Sequence, residues 1–152
     1  MLCGFADFLR ATLLWKIEGL DDDQLRTSLV PSATTLLGIV KHLARVEHQW
    51  FTIVFAGGDA GIPLPTVDDD WVIEPHESTE DIVRLYREAC DGSRAIVEAA
   101  SLDDQARWGK LQNRRGRPYT LRWILIHMIE ETARHVGQAD ILREQIDGVT
   151  GE

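Results

Sequence analysis

The chain has little sulfur to work with: two cysteines, Cys3 and Cys90, far apart among 152 residues. That excludes a disulfide framework and a thiolate metal site. It predicts a reducing, cytoplasmic setting in which both are small buried residues or free thiols. Long apolar runs are missing too. No stretch approaches the ~20 apolar residues of a membrane span. The first twenty residues, interrupted by Asp7 and Arg10, lack the basic start and unbroken apolar centre of a signal peptide. Positive charge is scarce: 16 Lys and Arg against 25 Asp and Glu leave a net charge of −9, which argues against a nucleic-acid partner. One local exception, Arg114, Arg115 and Arg117 beside Gly116 and Pro118, reads as solvated loop charge. Also absent are the period-two alternation of a sheet, internal repeats and a glycine-rich phosphate loop. So are His-Glu-x-x-His, the paired Glu-x-x-His of ferritin-type di-iron bundles, and a Gly-x-Ser-x-Gly elbow.

What remains is an all-α pattern. Apolar residues recur at spacings of three and four over about 2–20, 34–55, 78–100 and 121–148. Ser78 and Thr120 are natural N-caps; Gly19 with the run Asp21, Asp22 and Asp23 ends the first pattern, and Gly57, Gly58 and Gly148 are further stop signals. Four such helices in one domain, residues 1–152, predict a four-helix bundle, with simple and crossover connections both open. Two connections, 57–76 and 101–119, are long for idle loops in a compact domain, and such loops are often functional.

The last helix carries the chemistry. His127, Glu131 and His135 follow one another at steps of four residues. Each step of four advances ~400° round a helix, so each group stands one turn above the last. Glu131 and His135 can aim at one point, where a carboxylate oxygen and an imidazole nitrogen suit a divalent metal that needs a third ligand from elsewhere. His42 is the candidate, placed among Ile39, Val40, Leu43 and Val46 on a helix that could face the last one. A His2Glu set leaves positions open for water or substrate, as a catalytic site requires. The plain alternative is that these are solvated or hydrogen-bonded polar residues of an ordinary bundle.

The stretches GIVKHLARVEHQWF, 38–51, and LRWILIHMIEETARHVGQADILREQIDG, 121–148, resemble the DinB/YfiT-like family of metalloenzymes, closest to its actinobacterial, mycothiol-dependent branch. The resemblance implies a four-helix bundle with one divalent metal on His42, Glu131 and His135. Zinc is the expected metal, with nickel, manganese or iron as alternatives. Many relatives have histidine where this chain has Glu131, and the harder carboxylate widens the choice of metal. His127 reads as a residue behind the ligands or in the pocket wall, and His48 as a surface residue. The resemblance further implies a transferase or isomerase that uses a low-molecular-weight thiol, mycothiol or bacillithiol, on a small electrophile in detoxification or catabolism. A metal-binding stress or interaction protein without turnover is the rival reading. Arg134 and the arginines at 114–117 are candidates to meet the thiol's polar groups, and Trp71 and Trp108 to line a substrate pocket or merely cover the core. Five tryptophans are many for one small bundle, which together with the resemblance predicts a homodimer.

Overall fold

A computed structural model describes residues 1–58, 71–108 and 116–151. These form α1 (Leu2–Ile17), α2 (Asp22–Arg26), α3 (Leu36–Glu47) running on into a π-helical stretch (His48–Phe55), α4 (Thr79–Glu98) and α5 (Leu121–Asp147). Among the described residues there is no strand, only an isolated antiparallel bridge between Gln105 and Thr120. The protein is an all-α bundle, and no described helix is long and apolar enough to cross a membrane. The arginine cluster falls partly outside these residues: Arg114 and Arg115 are not described, and neither is much of the 57–76 connection.

The helix ends follow local chemistry. Thr35, Ser78 and Thr120 each accept a backbone N–H in the first turn of α3, α4 and α5. Gly148 ends α5 with φ at 78°, a left-handed position that favours glycine. Two expectations need correction. α1 stops at Ile17, and the aspartates after it do more than end it. Asp21 accepts the Gln24 backbone N–H at 2.8 Å while the Gln24 side chain accepts that of Asp21 at 3.0 Å, a capping box that starts α2. The second long helix is not regular either. From His48 it widens to i→i+5 bonding, as in Ala56 N–H to Phe51 O at 3.0 Å. Apolar spacing over two turns does not distinguish the two ladders. The carbonyls at the end of the wide turn are met from the 101–119 connection: Arg107 and Trp108 donate to Phe55 O and Val54 O, each at 3.0 Å.

α1 lies against α5 and α3 against α4, while α3 and α5 face each other. Two apolar clusters fill the interior. One gathers Leu13, Leu37, Leu43, Tyr86 and Leu142, the other Phe51, Val54, Leu121, Leu125 and Met128. Each long helix passes from one cluster to the other and has a buried polar residue near the crossing: Arg10 on α1, Glu47 on α3, Ser93 on α4, Thr132 and His135 on α5, while Lys16 is buried at the far end of α1. The bundle therefore has a polar waist between two apolar ends.

Candidate metal centre

The waist holds two polar groupings, and one of them has the form of a ligand set. His42 projects from α3, and Glu131 and His135 from α5. Both histidines are buried, at 8% and 6% exposure. His135 Nε2 stands 3.1 Å from Glu131 Oε1, and His42 Nε2 stands 3.5 Å from the same oxygen. One donor atom from each residue lies within 4.8 Å of the others. Neighbouring ligands on a metal with bonds of 2.0–2.2 Å are separated by about 2.8–3.6 Å, so the two short distances suit ligands to one ion.

Hydrogen bonding sharpens the fit. His135 Nδ1 lies 2.8 Å from Gln138 Oε1, an oxygen that can only accept. The ring proton therefore belongs on Nδ1, and the Nε2 lone pair faces the Glu131 carboxylate. Two acceptors at 3.1 Å repel unless a proton or a cation lies between them. When a proton fills that place, burial pushes the Glu131 carboxyl upward, but the hydrogen bond and charge of His135, then His42 and Arg134, outweigh it and hold the group below the usual carboxylate range. Arg134 grips the other oxygen, Oε2, at 2.9 Å. The carboxylate is thus ionised and oriented, with Oε1 turned to the histidines.

Trp71 closes one side. Its ring stacks on His42 with centroids 4.1 Å apart and planes at 14°, and lies 5.2 Å from the His135 ring. The backbone beneath makes this approach feasible: a Cβ on Gly38 would sit 2.7 Å from the Trp71 carbonyl oxygen, so glycine is required there. Lys41 straps the same segment to α3, donating to Val72 O and to Glu77, each at 2.6 Å.

Other candidates stand apart from this cluster. His127 belongs to an aromatic group, stacked on Trp123 at 5.1 Å and edge-on to Trp50 at 4.8 Å. Burial is the main reason its pKa falls, only partly opposed by Glu131, so the imidazole is neutral at pH 7. Trp108 packs on the second apolar cluster. His48 is half-buried rather than fully at the surface, and His76 is exposed. Cys90 is buried beside Glu47, and burial first, then that charge, pushes its thiol up to about 12, whereas Cys3 is exposed. Gln138 received no role from sequence alone, although its position three residues after His135 on a helix was a usable signal.

An all-α bundle whose waist gathers His, Glu and His donors defines a helical protein with a cluster able to hold a metal ion. The chain belongs to the mycothiol-S-transferase family, whose pattern it matches over residues 1–148. This agrees with the DinB/YfiT-like resemblance and implies a thiol chemistry and a small-molecule substrate. Comparison with curated proteins gave no match.

Proposed function

We propose that the protein is a divalent-metal-dependent thiol transferase or isomerase, with His42, Glu131 and His135 as ligands and mycothiol as the thiol. The carrying observation is the pair of acceptors, His135 Nε2 and Glu131 Oε1, turned toward each other with His42 Nε2 beside them. Zinc suits two imidazoles and one carboxylate, while manganese, iron and nickel are alternatives the carboxylate admits. When bound, the cation lowers the pKa of a thiol at its open position and keeps the thiolate ready. The chain's own residues prepare for this. Gln138 fixes the His135 tautomer, Arg134 orients Glu131, and Trp71 shields the His42 face from water. In the transfer a sulfur–carbon bond forms and the electrophile's leaving group departs with its bonding pair. In an isomerisation the thiol adds and is later released unchanged. Detoxification or catabolism of small electrophiles in the cytoplasm is the role this chemistry serves.

We also propose a homodimer. Phe5 and Phe8 on α1 are each 58% exposed and Ile141 on α5 is 57% exposed, on two helices that pack together. Light scattering should give twice the 17.2 kDa chain mass; a single-chain mass at micromolar concentration would overturn it.

The deciding experiment purifies the protein without a nickel column, measures its metal by elemental analysis, and follows conjugation of mycothiol to an alkyl or aryl halide, with release of the halide. Metal near one equivalent per chain and metal-dependent turnover above the background rate are expected. Bound metal without turnover on any tested electrophile would instead support the non-catalytic binder.

A further inference from the structure

We infer that the groove bounded by the 32–35 turn and the Trp71–Ile73 backbone seats the sugar portion of the thiol, an inference that rests on the thiol-transferase reading above. The groove has a volume of about 700 Å³ and is lined in part by His135 and Trp71, so it opens against the donor cluster itself. That volume is ample for a drug-sized ligand, larger than a small electrophile alone would fill. Its polar lining is suited to a neutral polyol. Ser32 and Thr34 hydroxyls hydrogen-bond each other at 3.0 Å and each keeps further capacity to donate or accept, while Gln138, whose Oε1 meets His135 Nδ1, adds its amide N–H groups. No carboxylate lines it among the described residues. Its one guanidinium, Arg26, is already held by Asp22 at 2.8 Å and by Glu77 O at 2.7 Å. Among the described residues the lining is rich in hydroxyls and poor in available charge, which suits hydroxyl-bearing rings better than phosphates or carboxylic acids. Trp71, whose ring stacks on His42, lines the same groove.

The turn is set in advance. Ala33 has φ at 58°, a left-handed position uncommon for a residue with a Cβ, and its N–H bonds Val30 O at 3.1 Å. This backbone holds the hydroxyls of Ser32 and Thr34 together at the groove. Mycothiol joins a cysteine-derived arm to two polyhydroxylated rings. With its rings in the groove, its arm would extend toward His135 and the centre.

Calorimetric titration of the zinc-loaded protein with mycothiol and with N-acetylcysteine, which has the thiol arm without the rings, tests this. Wild type should bind mycothiol at least tenfold more tightly. In Ser32→Ala/Thr34→Val that advantage should shrink by about tenfold, as expected for two lost hydrogen bonds, with zinc content unchanged. Ser32→Trp, which obstructs the groove from an exposed position, should shrink it as well. Equal affinity of wild type for both thiols, or an advantage preserved in both variants, would overturn the groove assignment and leave the thiol-transferase reading standing. Binding of neither thiol by the wild type would overturn both.

Discussion

Two carboxylates lie in the waist of this bundle, Glu47 buried and Glu131 partly buried, and their surroundings differ in one respect that separates structure from chemistry. Glu47 is saturated. Arg10 donates to both its oxygens, Nε to Oε1 at 2.7 Å and Nη2 to Oε2 at 2.8 Å, and Ser93 Oγ donates to Oε2 at 2.7 Å. With 1% exposure, it is an enclosed ion pair whose lone pairs are occupied by donors. Glu131 is also oriented by an arginine, but its Oε1 is turned to two imidazole nitrogens rather than to a guanidinium. One of those imidazoles presents an Nε2 lone pair because its ring proton sits on Nδ1, donated to Gln138 Oε1. A carboxylate closed by donors ties helices together. A carboxylate facing other acceptors invites a cation.

The largest expected effect tests the structural half. Glu47→Ala leaves the Arg10 guanidinium buried without its partner and should lower unfolding free energy by about 3–5 kcal/mol in urea titrations. Zinc affinity of the remaining folded fraction should change little. Arg10→Leu/Glu47→Leu should recover most of the stability, because well-packed apolar replacements of a buried pair are often neutral. Loss of zinc from Glu47→Ala with stability intact would erase the distinction drawn here.

His42→Ala should do the reverse. Removing one of the three proposed ligands should weaken zinc binding by about a hundredfold or more in chelator competition, a loss of about 2.7 kcal/mol of binding. The metal-free variant should unfold close to the metal-free wild type. Unchanged zinc affinity would mean that the histidine is merely a polar core residue stacked on Trp71. The smallest effect sharpens the comparison at the level of one hydrogen bond. Gln138→Leu removes the acceptor that fixes His135 and should cost about tenfold in zinc affinity, at the low end for residues that orient a ligand. An effect no greater than that of another exposed α5 position, such as Glu130→Leu, would show that the His135 tautomer is set by other means.

Much of this was legible in the residues. The helix starts at Ser78 and Thr120 and the stop at Gly148 follow from capping chemistry that acts within one turn. The alignment of Glu131 with His135 likewise follows from helical geometry alone. The widening at His48–Phe55 did not, since an apolar pattern is compatible with either ladder. The aspartate run before α2 read as a terminator because its partner, the Gln24 side chain, acts through a reciprocal bond that composition does not reveal. Trp71 was a candidate from its loop, but its stacking on His42 depends on Gly38 and Lys41, distant in sequence.

By itself the sequence determined the helical class, the boundaries set by caps, and the alignment of Glu131 with His135 on α5, because each is a short-range property of one segment. Tertiary packing alone decided that His42 joins those two while Glu47, five residues later on the same helix, does not. Five residues turn ~500° round a helix, so the two side chains point about 140° apart. Only the arrangement of neighbours shows that one direction meets Arg10 and Ser93 and the other meets α5.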